Sequence, residues 1–180
     1  MPEFDLVVRG GLIATAADAY IADLGIIGGR IAAIGAVLGE GREEIDASGK
    51  WVLPGGVDAH CHIDQPTSDG TVCADDFRSG TIAAACGGTT TIIPFAVQAK
   101  GQSVRAAVAD YHQRANGKAV IDYAFHLIVS DPSESVLDDE LPALIRAGYT
   151  SFKIYMTYDD LKLNDRQILD VWRSFSFRSS

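Results

Sequence analysis

From residue 51 onward, short β-rich runs alternate with amphipathic helical runs, and the β-rich runs begin about thirty residues apart. This restricts the fold more than any other feature of the chain. Consecutive strand–helix units give a parallel sheet, because each helix returns the chain to the end where the next strand must start, with a right-handed crossover. Strands are expected at 57–63, 89–93, 119–129 and 150–157, with Pro94 halting the second. Helices are expected at 75–86, 103–116 and 137–147, and from 164 onward. Asp75 and Asp76 favour the first helix start, and Gly87-Gly88 stops it. Ser103 can cap the second, whose Val104, Ala107, Val108 and Tyr111 form one apolar stripe, and Asn116-Gly117 ends it. No G-x-G-x-x-G follows a strand, so a dinucleotide-binding fold lacks its main support. A closed eight-unit barrel needs roughly 250 residues. The residues after 50 suffice for about four βα units, the first half of a (β/α)8 TIM-like barrel.

The first fifty residues have a different texture. β-rich runs at 4–9, 24–27, 30–34, 44–46 and 51–53 are separated by Gly10-Gly11, Gly28-Gly29 and Ala47-Ser48-Gly49-Lys50, and Gly28-Gly29 is a hairpin signal. The expected organisation is therefore a small β-sandwich-type subdomain over 1–53, with a structural duty, and half a barrel over 54–171. The run from Arg173 to Ser180 abandons the helical pattern of Leu169-Asp170-Val171-Trp172, so 172–180 is expected to be an atypical tail, as a premature stop after a frameshift would leave.

Hydrophobic residues make up 47% of the 180, enough for a real core. The net charge of −9 argues against nucleic acid or an anionic membrane as partner, since both call for a basic patch. Cys61, Cys73 and Cys86 are odd in number and form no C-x-x-C pair, which points to a reducing compartment. The first residues lack a signal-peptide pattern, and no apolar run reaches membrane-span length, so a cytoplasmic protein is expected.

Chemistry concentrates at two strands. In Asp58-Ala59-His60-Cys61-His62-Ile63-Asp64, alternation puts Asp58, His60, His62 and Asp64 on one face and apolar Val57, Ala59, Cys61 and Ile63 on the other. Two imidazoles so spaced can grip one metal ion near a strand's C-terminal end, where barrel sites form, although an H-x-H pair alone is weak evidence. In the fourth strand Phe152, Ile154 and Met156 should face helices, leaving Ser151, Lys153 and Tyr155 facing inward. An inward lysine has two readings. One is an ion pair with an acid such as Asp58. The other is an amine kept neutral by burial, able to add carbon dioxide and become an anionic carbamate. His112 is expected on a helix surface, His126 in the core or behind the site, and Cys61 in packing.

Leu53-Pro54-Gly55-Gly56-Val57-Asp58-Ala59-His60-Cys61-His62 resembles the segment entering the first barrel strand of the amidohydrolase superfamily. Ala83-Ala84-Ala85-Cys86-Gly87-Gly88-Thr89-Thr90-Thr91-Ile92 and the run from Ala119 to His126 resemble its second and third strands. Thr150-Ser151-Phe152-Lys153-Ile154-Tyr155-Met156 is similar to the segment bearing a carboxylated lysine in dihydropyrimidinases and D-hydantoinases. The resemblance runs from about residue 4 to 171. It implies two divalent metal ions, zinc first with manganese or cobalt as substitutes. His60 and His62 would bind one ion, and the Lys153 carbamate would bridge both. Tyr155 would donate a hydrogen bond to the oxyanion, and Asp58 would orient a ligand histidine. The implied reaction opens a cyclic amide or imide, a dihydropyrimidine or 5-substituted hydantoin, to an N-carbamoyl amino acid, in an enzyme whose full-length relatives are homotetramers. The family pattern also needs two histidines and an aspartate from later strands, so these 180 residues alone are expected to have little or no activity and to aggregate through an exposed sheet edge. Dihydroorotases and allantoinases typically carry an arginine soon after H-x-H. Here Ile63-Asp64-Gln65-Pro66 follows, which argues for an uncharged ring. A non-catalytic relative of dihydropyrimidinase remains an alternative.

Overall fold

Glycine and short polar turns cut the first part of the chain into five strands, β1 (Phe4–Ala14), β2 (Ala19–Ile27), β3 (Arg30–Gly35), β4 (Gly41–Asp46) and β5 (Trp51–Val52). The computed structural model describes residues 3–67 and 70–176, the last by its backbone only. It divides into two compact units, Met1–Pro54 and Gly55–Ser180. In the first unit the order is β3-β2-β1-β4. β1 and β2, and β2 and β3, run antiparallel, whereas β4 and β5 lie parallel to successive stretches of β1. Gly28 and Gly29 both have positive φ, 58° and 72°, as a two-residue hairpin turn with matching twist requires. A sandwich has two packed sheets. Among the described residues this unit has one.

A polar knot ties that sheet together. Arg9 donates to Asp23 at 2.9 Å, to Glu44 at 3.1 Å and to the carbonyls of Leu38 and Gly39 at 2.9 and 3.0 Å. Asp23 is buried and also accepts the Gly10 and Leu38 amides at 2.9 and 3.2 Å. The Gly10 amide first, then the Arg9 guanidinium, holds the Asp23 carboxyl below its ordinary range. A depressed folded-state pKa stabilises above the ordinary carboxylate value, and that contribution is lost as pH falls through the folded value. Asp23→Ala should therefore cost about 1–3 kcal/mol near neutral pH and flatten the loss of stability in acid. Denaturant unfolding at pH 7 and below pH 4 checks both parts, and an unchanged acid profile would contradict this account.

The second unit carries β6 (Gly56–Cys61), α1 (Phe77–Cys86), β7 (Thr89–Val97), α2 (Val104–Ala115), β8 (Asp122–Tyr123), β9 (His126–Ile128), a π-helical turn (Val136–Glu140) leading into α3 (Leu141–Arg146), β10 (Phe152–Lys153) and α4 (Asp165–Ser176). Its sheet order is β10-β9-β7-β6, with β8 on β7, and every pairing is parallel. The chain is thus mixed α/β with two sheets, the second of the kind found in a half-barrel. The caps explain where the helices start. Asp76 accepts the Arg78 and Ser79 amides at 2.9 Å each in a capping box, and Ser103 accepts the Ala106 amide at 3.2 Å. Glu140 reinforces the second cap, accepting from the Ser103 hydroxyl at 2.7 Å and the Arg105 amide at 3.1 Å. The expected stripe of Val104, Ala107, Val108 and Tyr111 is buried. It packs with Phe77, Phe125, Leu127, Leu141 and Val171 into one core.

Several expectations are corrected. Pro94 does not halt β7, which runs through it to Val97. On one side the β6 ladder slips between Asp58 and Cys61, and on the other the partner strand breaks between β8 and β9, so a residue with no amide proton fits there. That same break splits the single third strand expected at 119–129. The fourth strand shortens to two residues, and Met156 is 80% exposed rather than facing helices. α4 continues through Ser176, because Ile168, Val171 and Phe175 fall on one helical stripe against the core and Phe175 stacks on Phe152 with ring centroids 4.6 Å apart. Residues 177–180 of the expected tail lie outside the described residues. No helix among the described residues is long and apolar enough to cross a membrane.

Candidate metal centre

The C-terminal ends of the parallel strands carry the polar side chains. His60 is the penultimate residue of β6, His62 lies one residue beyond it, and Lys153 ends β10. His60, His62, Lys153 and Tyr155 line one cleft of about 320 Å³, together with Tyr158 and Leu161. Behind these side chains packs Phe95 of β7, only 3% exposed. Its ring centroid is 4.8 Å from that of His60 and 5.3 Å from that of His62, and the Lys153 ammonium nitrogen sits 4.1 Å above it. The same nitrogen is 4.8 Å from the centre of the Tyr155 ring. Among the described residues Lys153 has no ion pair, so the pairing with Asp58 does not form. Two aromatic faces supply its partial compensation through cation–π attraction.

The imidazoles suit a metal. Their centroids are 5.5 Å apart. Two imidazoles on a tetrahedral zinc, each bonded at about 2.0–2.1 Å, would place their centroids roughly 5 Å apart. Gln65 supports this use. Its Oε1 lies 2.7 Å from His62 Nδ1, and since an amide oxygen only accepts, Nδ1 donates to it, which in the neutral ring leaves the lone pair on Nε2. Among the described residues no three His, Cys, Asp or Glu side chains gather as a metal cluster. The donors are therefore two imidazoles and an amine, which becomes an anionic oxygen ligand only if it is carboxylated.

Asp58 and Asp64 behave differently from expectation. Asp58 accepts the backbone amide of His60 at 3.0 Å, holding the chain at that residue rather than a ring. Asp64 does not share the histidine face. Its φ of 50° turns the chain, its amide donates to the Asp75 carbonyl at 2.9 Å, and its carboxylate lies 3.9 Å from Arg114 and 3.8 Å from Lys118. The strand has already ended, so the alternation fails there. His112 is not a surface residue either. It is half-buried, hydrogen-bonded to the Tyr149 hydroxyl and set edge-on to Phe125 at 5.0 Å.

Three further contributors, Phe95, Gln65 and Tyr158, lie in segments that the family resemblance assigns to loops shaping the pocket, 65–73, 95–102 and 157–163, but the sequence singles out none of them individually. Tyr158 has a φ of 64°, an uncommon conformation for a bulky side chain, and stands beside Tyr155 with ring centroids 5.5 Å apart. The loops after β7 and β10 are tied by the Lys100 ammonium, which donates to the Asp159 carbonyl at 3.2 Å.

Cys61 packs against the core behind the histidines. Burial first, then the nearby Asp58 charge, pushes its thiol up to about 11. It should therefore react with iodoacetamide at pH 8 at least about 10-fold more slowly than an ordinary exposed thiol. Peptide mapping of the alkylated chain measures this, and labelling of Cys61 as fast as exposed Cys86 would contradict it.

Comparison with known proteins fits this geometry. Residues 51–156 match the model of the amidohydrolase family. The chain is 53% identical over 157 residues to a D-hydantoinase of Geobacillus stearothermophilus, covering 86% of this chain and 33% of that protein. It is 46% identical over 161 residues to a D-hydantoinase of Ralstonia pickettii, covering 89% and 35%. The crystal structure of a dihydropyrimidinase from Brevibacillus agri superposes with a TM-score of 0.88 at 44% identity, over 93% of this chain and 37% of that one. The chain spans about a third of the length of the curated relatives it matches.

Proposed function

Since the chain belongs to the amidohydrolase family, we propose that it supplies the His60, His62 and Lys153 part of a centre that hydrolyses the cyclic amide bond of dihydropyrimidines or 5-substituted hydantoins to N-carbamoyl amino acids. The observation that carries this reading is the convergence of those three side chains on one cleft backed by Phe95. In this reading the parallel sheet is the first four units of a (β/α)8 barrel following a single-sheet β subdomain, in an enzyme that is homotetrameric at full length.

The residues present fit part of a divalent-metal centre, zinc first: His60, His62 and Lys153, the last once carboxylated, would be the ligands this chain contributes to its ions. Bound zinc supplies Lewis acidity, which polarises a carbonyl and makes water a better nucleophile at neutral pH. The chain's own residues do the rest. Gln65 fixes the tautomer of His62, and Asp58 holds the backbone at His60. Lys153 has no carboxylate partner among the described residues; once deprotonated, its nitrogen would bond to the carbon of carbon dioxide and release a second proton. Tyr155 stands beside Lys153, where its hydroxyl would donate to the oxyanion of the opening ring. Loop residues Tyr158 and Leu161 border the space for an uncharged ring.

A chimera tests the reading. Residues 4–171 replace the matching third of the Geobacillus stearothermophilus D-hydantoinase. The chimera should hydrolyse a 5-substituted hydantoin, and Lys153→Ala should abolish turnover. These 180 residues alone should show little or none. A chimera that folds and binds metal but opens no cyclic amide would overturn the proposal.

A further inference from the structure

His60 and Lys153 lie on opposite edges of the parallel sheet, on β6 and β10, with β9 and β7 between them. Among the described residues no ladder joins those edges, and β10 is held to β9 through only two paired residues. The side chain of His126 hydrogen-bonds across them. His126, on β9, places Nε2 2.8 Å from the carbonyl oxygen of Ala59, the residue before His60. Its Nδ1 pairs with the hydroxyl of Ser151, two residues before Lys153. A carbonyl only accepts, so Nε2–H donates to Ala59, and in the neutral ring Nδ1 accepts a second hydrogen bond from the Ser151 hydroxyl. The Ala59 carbonyl lies where the β6–β7 ladder slips, between Asp58 and Cys61. The His126 ring also lies 5.1 Å from Phe95, which touches both histidines and Lys153.

We propose that His126 is a positioning residue whose two hydrogen bonds hold the His60–His62 edge and the Lys153 edge at the separation the centre needs. The inference rests on the metal-centre reading above. An imidazole suits this task because it is rigid and offers a donor and an acceptor on opposite sides of one plane. A packing role alone would need neither hydrogen bond.

Two measurements on the 180-residue chain decide it. The first is the tautomer of His126 from ring ¹⁵N–¹H NMR, expected to be Nε2–H. An Nδ1–H tautomer would overturn the proposal, with or without metal. The second is zinc affinity in bicarbonate buffer. His126→Phe keeps a ring against Phe95 but removes both bonds, and should weaken zinc binding about 10–100-fold. His126→Gln restores a donor toward Ala59 and should recover part of the loss. Equal affinity in His126→Phe and the unaltered chain, or no recovery in His126→Gln, would overturn the idea. Where His126→Phe does not fold, Ser151→Ala takes its place, with a smaller weakening expected and an unchanged affinity counting against. If the unaltered chain binds no zinc, the metal-centre reading fails. The strut then stands or falls on the tautomer and on whether loss of the His126 bonds shifts the His60 and Lys153 resonances.

Discussion

Replacing His62 by alanine is expected to weaken zinc binding by these 180 residues about 100-fold or more, beyond the 10–100-fold typical for loss of a supporting partner. In the neutral ring His62 has its Nδ1 proton committed to Gln65 and its Nε2 lone pair free, so the ring is oriented before any metal arrives. Removing it leaves His60 and Lys153, and a single imidazole holds zinc weakly at neutral pH. Gln65→Leu should show the graded version, about 10-fold, because the ring remains but its tautomer and angle are no longer fixed. Calorimetric titration with zinc in bicarbonate buffer gives both numbers. Equal affinities for His62→Ala and the unaltered chain would place the metal elsewhere.

The second large effect concerns the core beneath the site. Phe77 opens α1, is fully buried, and meets Tyr123 at 6.0 Å and Phe125 at 6.2 Å between ring centroids. Phe125 in turn packs against Tyr111 of α2 at 5.8 Å. Phe77→Ala should cost about 3–5 kcal/mol through lost burial and a residual cavity. Whole domains are stable by only about 5–15 kcal/mol. The second unit should therefore unfold at a much lower denaturant concentration. A shift below about 1 kcal/mol would mean that the aromatic cluster collapses to fill the gap.

The parts of this molecule legible in the sequence are those set by local rules. The Ser103 cap, the acidic start of α1 at Asp75-Asp76, the Gly28-Gly29 turn and the α2 stripe depend on neighbouring residues alone. His60, His62 and Lys153 were legible because β alternation and the βα spacing put them at one end of one sheet. The failures have one physical origin, since each depends on a partner distant in sequence. Pro94 is tolerated in β7 because of breaks in the strands beside it. Asp64 leaves the histidine face because Asp75, Arg114 and Lys118 hold it in a turn. α4 outlasts its apparent pattern because Phe152 receives Phe175. His126 gave no sign of joining Ala59 to Ser151, as those contacts span 67 and 25 residues.

X-ray absorption of one equivalent of zinc bound to the 180-residue chain in bicarbonate buffer tests the central claim most directly. Two imidazole nitrogens at about 2.0–2.1 Å, with oxygen and no sulfur in the remaining shell, are predicted, and the oxygen shell should change in Lys153→Arg. Sulfur scattering at about 2.3 Å, or a shell without imidazole, would contradict the account.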